Sequence, residues 1–400
     1  MTTIRLQEWS EQLNVDMSFD QVDALRRVSG NALQITPGSR RDQWNLNANN
    51  YVGAIRVGDL SVLIRPKIPL ENLFYMLSVG QSDIDFGSSL FGFEEQDLMP
   101  ALAGFYERLL ASTLTRGVLR SYREFDETLI AIRGRIDVPA ILHSGGMPAP
   151  VPCRFDELSI DIAENQILWT AAMAMANYPA VDPAVRRNLR RTVGVLDGVA
   201  GVDPRSIPPV TLTRINRHYE PALRLAEVIL GAGGIKDRIG GLEASTFLID
   251  MNRLFERFVT TQLRRHLAGK LEVRDQVHTY LAMGQKISMY PDLVFYRKGE
   301  SVLVADIKYK LTDNGMASNG DYYQLLAYCQ ATGVGKGVLI YSDVEKDLTS
   351  SATVMKDGPT LIVELADLRG DRVRVDETMA RLALALNSHV EPSRRRRVVS

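Results

Sequence analysis

Asp292, Asp306 and Lys308 are the side chains of this 400-residue chain whose types and spacing could carry out a reaction. Asp292 stands in Tyr290-Pro291-Asp292-Leu293-Val294-Phe295, and fourteen positions on comes Asp306-Ile307-Lys308. Asp306 and Lys308 are two apart, so on a strand they leave the sheet on one face. The preceding Val302-Leu303-Val304-Ala305 is apolar on both faces, as in a strand covered on both sides. Charge at the end of such a strand is costly to bury unless a partner or a metal compensates it. Asp292, beginning the neighbouring strand of a hairpin, brings a second carboxylate. Two adjacent carboxylates repel, and a hard divalent cation with oxygen ligands relieves that repulsion. A lysine beside it can hold or help deprotonate a water while the metal stabilises charge on a phosphate. The expected chemistry is metal-dependent phosphodiester hydrolysis; the rival reading is a structural ion-pair cluster.

Two further positions support the reactive reading. Glu256, in Met251-Asn252-Arg253-Leu254-Phe255-Glu256-Arg257-Phe258, could add a third oxygen to a metal shell. Its alternative is a solvated helix charge paired with Arg253 or Arg257. Gln324 and Tyr328 lie four apart and share a helical face, with Leu325, Leu326 and Cys329 turned to the core. Gln324 could bind the water or the scissile phosphate and Tyr328 orient it, or the two form a polar pair on a helix rim. Thr332-Gly333-Val334-Gly335-Lys336-Gly337 imitates a phosphate loop. It lacks the first glycine and the Ser/Thr after the lysine, and is expected to be a helix-ending turn. The five histidines have no metal-ligand spacing, and Cys153 and Cys329 are expected to be plain thiols.

The elements that must position these groups follow from periodicity. Helices are expected at 70–79, 96–120, 160–177, 183–198, 219–230, 245–267, 320–331 and 377–388. Strands are expected at 271–280, 291–297, 301–309, 337–341 and 360–366. Tyr51–Pro66 reads as a hairpin turning at Gly58-Asp59. After a glycine-rich stretch at 231–241, helix, strands, helix and strand give an α/β domain with a mixed central sheet flanked by helices. An α+β domain precedes it, so the expected division is 1–240, 241–391 and a basic tail at 392–400 containing Arg394–Arg397.

Hydrophobic residues make up 45% and charged residues 24%, which excludes wholesale disorder. Lys and Arg total 47 against 48 Asp and Glu, so bulk positive charge does not hold nucleic acid here. The absence of a long apolar run makes the cytoplasm the expected address and a membrane an unexpected partner.

Asp292, Asp306-Ile307-Lys308 and Gln324 with Tyr328 resemble the PD-(D/E)XK nuclease superfamily, including the Gln-x-x-x-Tyr element of its RecB-like members. The wider chain resembles the McrC family, the nuclease subunits of McrBC modification-dependent (type IV) restriction systems. Tyr51–Ile68 with Leu73–Leu77 carries that likeness, as do Arg133–Ile136, Cys153–Asp161 with Glu164-Asn165, and Asp250–Glu256. The resemblance implies a catalytic set of Asp292, Asp306, Lys308, Gln324, Glu256 and Tyr328. It implies Mg²⁺ or Mn²⁺ on Asp292, Asp306, Glu256 and the backbone carbonyl of Ile307, with no nucleotide bound by this chain. Its implied partners are an McrB-type AAA+ GTPase hexamer, stimulated by the N-terminal part, and methylated double-stranded DNA recognised through that hexamer. Arg133, Arg135, Arg154, Asp156 and Glu157 become candidates for GTPase stimulation, against an internal salt-bridge network. A non-cutting adaptor of the ring and a stand-alone repair nuclease are the alternative functions.

Overall fold

The apolar run before Asp306 lies inside a six-stranded mixed sheet. In the computed structural model, residues 2–78, 98–143, 150–232, 237–239, 242–281, 286–309, 318–342, 351–354 and 358–390 are described. The arginine tail and part of the glycine-rich stretch lie outside them. The sheet order is Glu272–Asp275, Leu293–Arg297, Glu300–Lys308, Lys336–Tyr341, Thr360–Leu365, Ser351–Val354. The three strands from Glu300 to Leu365 run parallel and the outer ones antiparallel. Helix Asn319–Thr332 packs on the parallel strands through Leu325, Tyr328 and Cys329, which join Val304, Leu339 and Leu361 in one core. Helices Met251–His266 and Arg372–Val390 pack on the Glu300–Lys308 strand and on each other. The expected mixed α/β architecture is therefore present.

Contacts divide the chain into two compact units, one formed by residues 1–98 with 234–400 and the other by 99–233. The expected division at 240 does not coincide with these units. The reason is strand pairing: Leu242–Asp250 pairs antiparallel with Tyr51–Val57. That pairing makes a five-stranded sheet ordered Thr2–Gln7, Leu60–Arg65, Tyr51–Val57, Leu242–Asp250, Asp237–Ile239. Residues 245–250, expected to be helical, are strand because Thr246-Phe247-Leu248-Ile249 is a β-branched and aromatic run with a distant partner. At Gly53 (φ +144) a Cβ would lie 1.9 Å from the Phe247 carbonyl oxygen, so only glycine lets these strands close.

Asp250 then ends the strand and starts the next helix. Its side chain accepts hydrogen bonds from the backbone N–H of Asn252 (2.9 Å) and Arg253 (3.4 Å), and from Asn50 Nδ2 (2.7 Å). Further polar bonds tie the early residues to the late ones. Asn72 Nδ2 donates to the carbonyls of Leu368 (2.7 Å) and Gly370 (2.9 Å). Tyr75 Oη donates to Asp376, and Tyr309 Oη donates to buried Glu8 (2.8 Å). The hairpin expected at 51–66 is present, Val57 pairing with Leu60 across Gly58-Asp59.

The 99–233 unit packs helices Leu98–Thr115, Ala163–Ala176, Pro183–Thr192 and Glu220–Ala232. It also carries a three-stranded antiparallel sheet, Ser121–Leu129, Val151–Ser159, Arg135–Ile136. One face of the middle strand buries Val151, Cys153 and Phe155 against Phe125, Leu129 and Ile141. Tyr122, Ile130, Ile132 and Leu142 are exposed. Among the described residues no helix is long and apolar enough to cross a membrane.

Candidate active site

Strand register brings Asp292 and Asp306 to one face. Val294 pairs with Val304 and Leu293 with Ala305 across the hairpin, so continuing the alternation by one pair sets Asp292 against Asp306. Val294 and Val304 both face helix Asn319–Thr332, and Asp306 and Lys308 follow Val304 on that side. Asp292 Oδ2 accepts a 2.8 Å hydrogen bond from the Ile307 N–H, which fixes the carboxylate across the strand end. A strand residue's N–H and C=O point to the same edge, so the Ile307 carbonyl faces the edge that Asp292 occupies.

Lys308 Nζ lies 3.0 Å from each carboxylate oxygen of Asp306 but donates a hydrogen bond only to Oδ1. Oδ2 is buried and accepts none. Burial pushes the Asp306 carboxyl well above the usual carboxylate range; Lys308 opposes this, and the nearby Asp292 adds to it. Burial would lower the Lys308 ammonium, yet Asp306 and then Asp292 and Asp321 hold it above its ordinary value.

Glu256 reaches this cluster through a residue that the spacing gave no reason to choose. Gln276 Nε2 donates to Glu256 Oε1 at 2.8 Å and to Asp292 Oδ1 at 3.4 Å, and its backbone N–H donates to the Asp292 carbonyl at 3.2 Å. Its backbone is left-handed (φ 48), a conformation uncommon outside glycine and found often at functional sites. That signal exists only in coordinates. Burial, and next the charge of Asp292, raise the Glu256 carboxyl.

Gln324 Nε2 donates to Tyr328 Oη at 2.8 Å. Tyr328 is buried in the core that Leu325 and Cys329 also join, not on a helix rim. Burial raises its phenol, and the charges of Asp306 and Asp292 act in the same direction. The helix ends on Gly333 in the left-handed conformation before strand Lys336–Tyr341 begins, so the glycine-rich stretch there is a turn.

The donor set suits a hard cation that keeps most of its water. Among the described residues no group of three or more His, Cys, Asp or Glu side chains gathers closely enough to hold a metal. Two carboxylates and a strand-end carbonyl remain, and Mg²⁺ is commonly held by one or two carboxylates plus water and phosphate oxygens. Asp306 Oδ2, buried and accepting no hydrogen bond although the Lys308 ammonium lies 3.0 Å away, is the atom a cation would satisfy.

The candidates Arg133, Arg135, Arg154, Asp156 and Glu157 all lie in the 99–233 unit, Arg133 in the connection before strand Arg135–Ile136 and the other four on its small sheet. Arg133 pairs with Glu157 (3.1 Å) and covers the Phe155 ring (4.4 Å). Arg154 pairs with Asp126 (2.7 Å), Glu124 (3.2 Å) and Asp137 (3.8 Å). Arg135 and Asp156 are exposed.

A scan against protein-family models matches residues 46–342 to the McrBC 5-methylcytosine restriction system component family. The chain belongs to that family. This McrBC-component chain matches no curated protein. Its structure is similar to a chain in the refined half-complex from a tetradecameric assembly of Thermococcus gammatolerans McrB AAA+ hexamers with bound McrC. The TM-score is 0.60 at 18% identity, covering 96% of this chain and all of the other. A second match is to the Thermococcus gammatolerans McrBC complex, with a TM-score of 0.43 and 20% identity over 68% of this chain and 90% of that one. The first likeness supports a shared fold along nearly the whole McrBC-component chain.

Proposed function

We propose that this chain is the McrC-like endonuclease subunit of a GTP-dependent restriction complex, hydrolysing phosphodiesters of methylated DNA. The observation that carries this reading is the convergence of Asp292, Asp306 and Lys308 at one strand end, with the Asp306 carboxylate buried between the Lys308 ammonium and the second carboxylate. Asp292, Asp306 and the Ile307 carbonyl would hold Mg²⁺ or Mn²⁺. When bound, the cation supplies Lewis-acid stabilisation of phosphate charge and a more acidic water. The Ile307 N–H keeps Asp292 oriented, Gln276 spaces Asp292 from Glu256, and the ammonium of Lys308 faces the developing negative charge. Gln324 and Tyr328, linked to each other, line the neighbouring helix face.

The partner in this reading is an McrB-type AAA+ GTPase hexamer, which the 99–233 unit would dock on and stimulate. Exposed Ile130, Ile132 and Leu142 on that unit support a protein-binding role. A neutral chain also fits delivery of DNA by such a motor, since it needs little electrostatic affinity of its own. The test is the full chain with its GTPase, methylated DNA, Mg²⁺ and GTP. Asp306→Ala should abolish cutting while GTPase stimulation persists. Unchanged cutting by the variant ends the nuclease reading and leaves a ring-activating adaptor.

A further inference from the structure

We propose that Tyr290 and His278, backed by Tyr280, form a stacking platform for a nucleobase of the strand being cut. The proposal rests on the nuclease reading and adds to it how that strand is gripped. The His278 and Tyr290 rings are parallel, 6° apart with centroids at 4.8 Å, and Tyr280 lies 4.6 Å from His278 at 54°. His278 Nε2 sits 3.2 Å from Ser288 Oγ, so the ring is held at a heteroatom as well as by its neighbours. The short hairpin below is tied down too. Thr279–Tyr280 pairs with Ser288–Met289, and Thr279 Oγ1 donates to the Ala331 carbonyl (3.0 Å) on the helix that carries Gln324.

This ladder is built but not covered: Tyr290 keeps 49% of its surface exposed, against 6% for Tyr328. Its place is decided by Pro291-Asp292, which follow directly. Two residues span at most about 7 Å of chain. The exposed ring is therefore beside the strand end that carries Asp292, next to any phosphate held there. Every base has a π-face, so stacking is tolerant of sequence, as suits an enzyme whose recognition lies in a partner. It also supplies affinity that a chain of net charge −1 does not draw from bulk electrostatics. Exposed Lys286, on the same hairpin, is a cation for the adjoining backbone. A base reaches such a platform only when unpaired, so the site is fitted to a strand opened or frayed beside the cut.

The test uses the full chain in Mg²⁺-free buffer with a forked DNA carrying 2-aminopurine at the junction, so that binding is read without cleavage. Wild type should quench the probe, and Tyr290→Trp should preserve the quench. Tyr290→Ala should remove it and weaken the forked-DNA Kd by about 5- to 150-fold. Tyr290→Leu keeps apolar bulk without a π-face; it should melt like wild type yet lose the quench. Absence of quenching by wild type, or its retention by the Leu or Ala variant, overturns the platform. Cutting that survives Asp306→Ala overturns the nuclease reading instead and leaves the fluorescence result standing, so the two failures are separable.

Discussion

Replacing Gln276 tests the contribution of a single amide to the proposed cation site. Gln276→Ala removes the donor shared by Glu256 Oε1 (2.8 Å) and Asp292 Oδ1 (3.4 Å) but keeps the left-handed backbone. Hydrogen bonds to charged groups are worth about 1.5–3 kcal/mol, and exposure with one long bond reduces this to about 1–2 kcal/mol. Without the amide, the two carboxylates repel unscreened and Asp292 is freer to turn from the Ile307 N–H. Divalent affinity should then fall about 5- to 30-fold. Gln276→Gly loses the same amide while relieving roughly 1 kcal/mol of left-handed strain. The two variants should thus bind Ca²⁺ equally weakly by calorimetric titration, with the glycine variant melting at the higher temperature. Wild-type Ca²⁺ affinity, within twofold, in Gln276→Ala would refute the assignment of Gln276 to the cation site.

Glu8 offers a pH signature. Its buried carboxyl is raised, chiefly by burial, from an ordinary 4.5, while the Lys67 N–H and Tyr309 hydrogen bonds pull the other way. A group whose folded pKa is raised stabilises fully below its unfolded pKa and loses that contribution as pH rises through the folded value. Glu8→Gln should therefore melt higher than wild type at pH 8, with the advantage vanishing near pH 4; a pH-independent difference in Tm would contradict this. Asn72→Ala strips the donor from the Leu368 and Gly370 carbonyls and should cost about 2–3 kcal/mol in chemical denaturation. A cost below about 0.5 kcal/mol would show that these bonds do not join the two segments. Arg154→Ala, whose ion pairs are exposed, should leave Tm nearly unchanged while lowering stimulation of the partner GTPase. A large fall in Tm with stimulation intact would return Arg154 to a stabilising role.

What was legible in the sequence was local. An Asp and a Lys two apart on an apolar strand had to share a face, and one hairpin was enough to set Asp292 beside them. Strand 245–250 was not legible as strand, because its partner at 51–57 lies nearly two hundred residues away and a helix follows it directly at Met251. Gln276 carries no periodic or motif signal; its importance comes from a left-handed turn that aims one amide at two carboxylates. The four-residue spacing put Gln324 and Tyr328 on one helical face, and their hydrogen bond is present, but the spacing gave no sign that the Tyr328 ring is buried in the core.

The assembly of the first unit from two separate stretches of chain has consequences for synthesis and for dissection. Ala244 leaves the ribosome 187 residues after Val57, the residue it must pair with. At about 5–20 residues per second, that central strand waits roughly 10–40 s for its neighbour. Asp306 and Lys308 emerge later still, so the Asp292–Asp306–Lys308 cluster is assembled only after the inserted 99–233 segment has been made. Cutting the chain near residue 240 would leave a bare sheet edge on one fragment and an uncapped, partnerless strand on the other. A clean separation has to lift out 99–233 and rejoin the flanks.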